Sequence, residues 1–327
     1  MKTGVLAGVV AILITAVLWG TTGTAATFAP GVGPLAMGAA ALGIGGLLQA
    51  LIALPSLHRE RAALALQRGV LTAGSVGVAI YPLAFYSSMH LAGVAVGTVV
   101  SLGSAPIASG LLEWIVERRR VSGWWMLAAG LGIAGSAVLC AAKMHDTPAD
   151  MAGTAAGVGL GLVAGTTYAL YSWSAHRLMG RGIGRAAAMG SVFGLGGLAL
   201  MPVLAVTGAP LLASPQAFAV GAYTALVPMF LGYVLFGFGL TRVTASTATT
   251  LTLAEPAVAA VLAVVIVGER LSSLGWLGLA GIGVSLLILA VAPVPSTRRS
   301  PRRVPPWPDA SPARGRRARR RPGGSTG

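Results

Sequence analysis

Charge is scarce in this sequence. Of 327 residues only 9% are Asp, Glu, Lys or Arg, and just eight carry a carboxylate. A water-soluble globule of this length needs far more polar surface, so the bilayer must be the solvent. Cysteine is scarcer still: Cys140 stands alone, which excludes an internal disulfide and a thiolate metal cluster, and reads as inert packing in a helix. Four histidines without paired spacing give no metal site. No Gly-Lys-Ser/Thr phosphate loop occurs, so energy for any transport would come from a gradient rather than from ATP hydrolysis by this chain. No cofactor is expected.

What is abundant is apolar. Hydrophobic residues make up 55% of the chain, and mean hydropathy is +0.80. A span needs about 20 apolar residues, and the stretch up to Pro293 divides into ten. These are Gly4 to Phe28, Gly33 to Leu54, Gly69 to Ser88, Val94 to Val116 and Trp124 to Ala142, then Ala152 to Trp173, Ala186 to Val206, Ala217 to Phe238, Ser246 to Val267 and Leu274 to Ala292. The 47 glycines do not argue against helix here, because unpaired backbone is costly in lipid and small residues let helices approach closely. The fold class is therefore all-α integral membrane, with no room for a soluble catalytic domain.

Basic residues set the orientation. With the N-terminus cytoplasmic, the inside loops carry Lys2, Arg59, Arg61, Arg68, Arg118, Arg119, Arg120, Arg177, Arg181, Arg185 and Arg242, against only Lys143 and Arg270 outside. Ten of the 23 Lys and Arg lie after Pro293, opposed by Asp309 alone, a net +9 of the total +15. That Pro/Arg-rich segment, 293–327, is expected to be disordered and cytoplasmic, a solvated tail or one resting on anionic lipid headgroups. It lacks interleaved aromatics, so nucleic acid is not an expected partner.

The sequence also repeats at an offset of 150. Ala105 to Gly123 aligns over Glu255 to Ser273, with Pro106 over Pro256, Arg120 over Arg270 and Ser122 over Ser272. Tyr168 and Ala169 fall near the counterparts of Trp19 and Gly20. Five spans per half is an odd number, so the halves, 4–142 and 152–292, would enter the membrane with opposite orientation, as in many secondary transporters. The first span alone could be read as a signal peptide, with Lys2 as its n-region and small residues near Ala25, but it is long for an h-region and belongs to the repeat.

Four stretches carry a resemblance. EPAVAAVLAVVIVGERLS runs from Glu255 to Ser272, Leu18-Trp19-Gly20 and Tyr168-Ala169-Leu170-Tyr171 lie in the first and sixth spans, and GYVLFGFGLTRVTASTATTLTLAEP runs from Gly232 to Pro256. Together they make the chain, up to Ala292, similar to the EamA-type permeases of the drug/metabolite transporter superfamily. The resemblance implies ten helices in two five-helix repeats, and export or exchange of small metabolites such as amino acids, their analogues, nucleoside-like compounds or toxic organics. The first half departs from the pattern. Ala105 replaces the acid before the proline and Arg118-Arg119 stand at the place of Gly268-Glu269, so a symmetrical pair of carboxylates is lacking.

Glu255 is the most informative residue, since a carboxylate at mid-span is costly unless paired, protonated or facing a cavity. Pro256 cannot donate to the helix ladder and would leave the Thr252 carbonyl free. Thr249, Thr252 and Glu255 share a face at spacing three. Glu255 reads as a counter-ion to a cationic or amino group, as a proton carrier, or as a structural acid bonded to a neighbouring helix. Trp19 with Thr15 and Thr22, Tyr168 with Tyr171, and Thr98 with Ser101 and Ser104 are further candidates to line a cavity, as are Tyr81, Tyr86, Tyr223 and Tyr233. For each, packing or interhelical bonding is the competing role. Trp124, Trp125 and Trp276 read as interface anchors, Glu113 and Glu117 as snorkelling, locally paired acids, and Glu269 with Arg270 as an outer cap.

The expected function is a secondary transporter of small molecules, not an enzyme, working by alternating access in the cell membrane as a monomer or homodimer. The alternative is a lipid-translocating or structural membrane protein. An intramembrane hydrolase would need a nucleophile and base at one depth, and Ser104 and His90, the nearest such pair, sit on different spans.

Overall fold

The computed structural model describes residues 2–142, 151–262, 264–265 and 272–291. Ten helices account for nearly all of them, and no strand occurs among the described residues. They are α1 Lys2–Thr27, α2 Pro34–Leu66, α3 Arg68–Ala92, α4 Val94–Glu117 and α5 Gly123–Ala141, then α6 Met151–Gly180, α7 Arg185–Thr207, α8 Pro215–Leu240, α9 Ala245–Leu262 and α10 Ser273–Val291. Eight are long and apolar enough to cross a membrane, and two shorter apolar segments, Gly123–Leu139 and Ser273–Leu289, complete the set. Leu51, Ile52, Ile115, Leu277 and Leu287 project outward over half exposed, a surface suited to lipid rather than water. The chain is a multi-pass membrane protein.

The side chains of Lys2 and Cys140, and Lys143, Glu269, Arg270, Ala292 and the Arg-rich segment with Asp309, lie outside the described residues. What is described bears out the alternation of the spans. The ten described arginines all stand at one end of the bundle, on α2–α3, α4–α5, α6–α7 and α8–α9 connections or the helix turns beside them. Cross-helix contacts fix that end: Arg177 pairs with Glu117 at 3.6 Å, and Glu60 Oε2 accepts the Gly184 N–H at 2.7 Å. At the other end Ser88 donates to Gly157 O at 2.7 Å and the Thr21 and Tyr223 hydroxyls meet at 2.7 Å.

Packing divides the helices into groups. α1 lies against α8 and α9, while α6 lies against α3 and α4. α2 pairs with α7, and α5 with α10. The backbones come close where side chains vanish: a Cβ on Gly197 of α7 would stand 2.7 Å from Gly43 O of α2, a contact only glycine allows.

Three local departures from the sequence reading stand out. The second span does not end at Leu54; α2 runs on through Pro55 to Leu66 and joins α3 at Gln67 alone. Its charged turns are helical because Leu64 packs into the core and Glu60 is engaged by the turn before α7. The sixth helix likewise continues past Trp173 to Gly180. Trp124 and Trp276 are exposed, as membrane-edge anchors would be, but Trp125 turns inward, its ring 2.7 Å from where a Cβ on Gly110 would be.

Candidate functional site

Irregular backbone converges at the centre of the bundle. α2 contains a π-helical segment, Ala39–Ile44, and α8 another, Ala225–Leu231, around Pro228. α9 is broken into Ala245–Leu251 and Ala254–Leu262, with Thr252 and Leu253 between. Such interruptions at membrane depth persist only where other groups satisfy the backbone or where they line a cavity. Both conditions hold. Trp19 Nε1 donates to Pro228 O at 2.9 Å, Gln49 Nε2 to Phe230 O at 3.0 Å and Thr15 to Gly232 O at 3.1 Å.

Between these segments lies a cavity of about 20 Å³, room for about one water molecule. Trp19 and Thr22 of α1, Ala41 and Leu42 of α2, and Tyr81, Pro82, Phe85 and Tyr86 of α3 wall it, with Met229 and Tyr233 of α8 and Glu255 of α9. Glu255 is 8% exposed. Among the described residues its carboxyl group has no hydrogen-bond or ion partner.

Gly20 explains how the indole and the acid come together. A Cβ there would meet Val258 Cβ at 2.9 Å and Glu255 O at 3.1 Å, so only glycine lets α1 lie this close to α9. Leu18-Trp19-Gly20 is in this sense a packing motif that delivers Trp19 to the cavity.

The sequence candidates sort into layers. Glu255, Trp19, Thr22, Tyr81, Tyr86 and Tyr233 line the cavity. Thr252 and Tyr168 lie just behind, their hydroxyls 2.8 Å apart, with the Tyr168 ring 6.0 Å from Trp19 and 5.6 Å from Tyr81. Tyr171 is a layer further, its hydroxyl 2.6 Å from that of Tyr233. Pro256 is buried at the start of the second α9 segment. The Thr252 carbonyl is not free as Pro256 suggested; it accepts the Glu255 N–H at 2.9 Å, closing the break as a tight turn.

Other candidates are not brought to the cavity. Thr249 donates to Ser109 Oγ at 3.2 Å and to its own helix. Ser104 bonds back to Val100 O at 2.6 Å, Ser101 is buried in α4, and Thr98 faces Met89 Sδ at 3.4 Å. Tyr223 is paired with Thr21. Residues the sequence did not single out, Phe85, Pro82, Met229, Ala41 and Leu42, enter through the two π-segments and Pro82. The nearest sequence signal was Pro82 and Pro228 inside apolar runs.

Glu113 also departs from its sequence reading. It is 6% exposed and unpaired with the neighbouring arginines; Oε1 accepts the Ser246 N–H at 2.9 Å and Oε2 the Ser246 O–H at 2.8 Å. Burial against α9 replaces snorkelling. Glu117 does form local ion pairs, at 3.7 Å to Arg119 and 3.6 Å to Arg177.

Five helices, α1, α2, α3, α8 and α9, thus wall a small aromatic cavity with a buried acid inside a multi-pass membrane protein. The chain belongs to the EamA-like transporter family, whose model matches it twice, over residues 6–141 and 155–291. It is 36% identical over 285 residues to a protein of Bacillus subtilis (strain 168) called "Uncharacterized transporter YwfM", spanning 86% of this chain and 93% of that one. A solved crystal structure shares the fold with a TM-score of 0.67 at 18% identity, covering 88% of this chain and 96% of the other. Family and relative point to a transporter of small molecules rather than to an enzyme.

Proposed function

We propose that this transporter exports or exchanges small metabolites bearing an amino or other cationic group, amino acids and their analogues among them, by alternating access in the cell membrane. The observation that carries the reading is the unpartnered Glu255 carboxyl group facing an aromatic cavity. A lone acid at this depth is a functional site by default, and the faces of Trp19, Tyr81 and Tyr233 attract cations through their ring quadrupoles. No basic side chain lines the cavity, so a phosphorylated solute would find no counter-charge there.

A second observation supports alternating access. Helix neighbours recur with a shift of five: α1 meets α8 and α9 as α6 meets α3 and α4. Exchanging the halves 4–142 and 152–292 maps one set onto the other, the relation expected of inverted repeats with a site at their interface. A cavity that holds one water cannot hold a metabolite, so the described conformation is a closed one that opens to load. Tyr86 lines both this cavity and a second, about 330 Å³, formed at the end away from the arginines with Val32, Met37, Met89 and His90. Tyr86 is the residue common to the two linings, whereas Tyr168, Tyr171, Phe193 and Phe236 pack behind Tyr233 in the aromatic core. The arginine-rich end is the cytoplasmic one by the distribution of basic residues.

Export is tested by growing cells with and without the gene on toxic amino-acid analogues, amines and nucleosides. Resistance confined to amine-bearing compounds is expected. Equal sensitivity across the panel would count against the reading.

A further inference from the structure

Among the described residues, cross-group hydrogen bonds are distributed on one side of the cavity only. Between α3, α4 and α6 on one hand and α1, α8 and α9 on the other run Tyr168 to Thr252, Tyr171 to Tyr233, Ser109 to Thr249, His176 Nδ1 to Leu240 O at 2.8 Å, and Glu113 to Ser246. All lie between Glu255 and the arginine-rich end. Among the described residues no side-chain hydrogen bond joins the two groups on the other side of the cavity.

Glu113 is the one member of this set that brings an acid. It sits a turn before the end of α4, and both carboxylate oxygens are occupied by a single residue, Ser246, at the entry to α9. Hydrogen bonds to a carboxylate are shorter and stronger than neutral ones, and a two-point grip fixes orientation as well as distance. Arg119, which follows Glu113 in sequence, pairs with Glu117, as does Arg177 of α6, which also stacks over Trp173 at 5.0 Å. From Ser246 the first segment of α9 runs through the buried Thr249 to the break at Thr252 and Leu253, after which Glu255 enters the cavity.

We propose that Glu113 is a positioning acid of the transport cycle, whose grip on Ser246 holds the cytoplasmic gate shut and releases when the site turns inward. This rests on the alternating-access reading above. The acid acts through α9 and touches no substrate; losing it shifts the population toward the inward-open state without altering the cavity lining.

The test uses the full chain in vesicles, with Cys140→Ser and one reporter cysteine at a time: Ser109→Cys, buried between α4 and α9, or Ala26→Cys, lining the outer cavity. A membrane-impermeant maleimide is applied from the matching side. Adding Glu113→Gln is expected to raise labelling at 109 several-fold and to lower it at 26. Reciprocal change is what a gate does and a loosened fold does not. Unchanged rates at both positions overturn the proposal. If both rates rise, packing has been lost and Ser246→Ala decides: a reciprocal shift sustains the latch, and any other result ends it. Labelling needs no substrate, and resistance is scored separately. Unshifted labelling in a Glu113→Gln chain that still confers resistance therefore rejects the latch alone, while a reciprocal shift without resistance to any amine rejects the substrate assignment alone.

Discussion

The Tyr168 hydroxyl lies 2.8 Å from the Thr252 hydroxyl, joining the middle of α6 to the break in α9 that presents Glu255. Thr252 donates its one hydroxyl proton to Thr249 O at 2.9 Å, so the donor in the pair is the tyrosine. Removing it leaves a buried hydroxyl with one partner rather than two. Tyr168→Phe should therefore cost about 0.6–1 kcal/mol of stability, the usual worth of such a bond between membrane helices. Unfolding of purified wild type and variant in mixed micelles measures it; a variant as stable as wild type would show that the bond contributes nothing.

Glu255→Gln keeps the size of the side chain and removes its charge. If the carboxylate balances a cationic group, transport of amines should fall at least tenfold, corresponding to about 1.4 kcal/mol or more of lost interaction. A proton and a cation compete for the same carboxylate, so acidification should weaken amine binding to the wild type. The binding curve of the Gln variant should not respond to acid in this way. Vesicle uptake across a pH series reads both effects.

How much of this was visible in the residues alone differs from element to element. The spans were legible because apolar runs and arginine clusters alternate, and Glu255, Trp19, Tyr81, Tyr86 and Tyr233 because acids and aromatics are rare within such runs. The helical continuation of α2 to Leu66 was hidden by its charges, which read as a loop although the turns dock on the segment before α7. The π-segments were hidden too, since a π-turn depends on partners such as Trp19 and Gln49 that lie far away in the chain. Glu113 was misread for the same reason: its partner Ser246 is 133 positions distant, while its sequence neighbour Arg119 pairs with Glu117. Thr249 and Ser104 shared a plausible face with the site, yet hydroxyls in membrane helices bond to whatever carbonyl or hydroxyl is nearest.

Gly20 offers a check on the packing argument. A side chain there must push α9 away through Val258 and the Glu255 carbonyl, at about 1–3 kcal/mol for overpacking. Gly20→Val should lower stability and reduce amine transport together, whereas Gly23→Val, where a Cβ meets nothing within 4 Å, should leave both near wild type. Equal effects of the two substitutions would contradict a specific role for the close approach.

Tyr86 is the residue common to the linings of both cavities. Tyr86→Ala should merge them, speeding modification of a reporter at Thr22 by a reagent applied from outside at least several-fold. A rate like that of the parent would place the outer barrier elsewhere.

The central claim, that Glu255 receives a cationic group in a site serving both membrane faces, is tested most directly by counterflow in proteoliposomes. Vesicles loaded with an amine that confers the resistance phenotype are given its labelled form outside, in parallel with the neutral isostere of the same compound. Wild type should accumulate labelled amine transiently and ignore the isostere, and Glu255→Gln should lose the amine overshoot. An overshoot of equal height in the Gln variant, or for the isostere, would contradict the account.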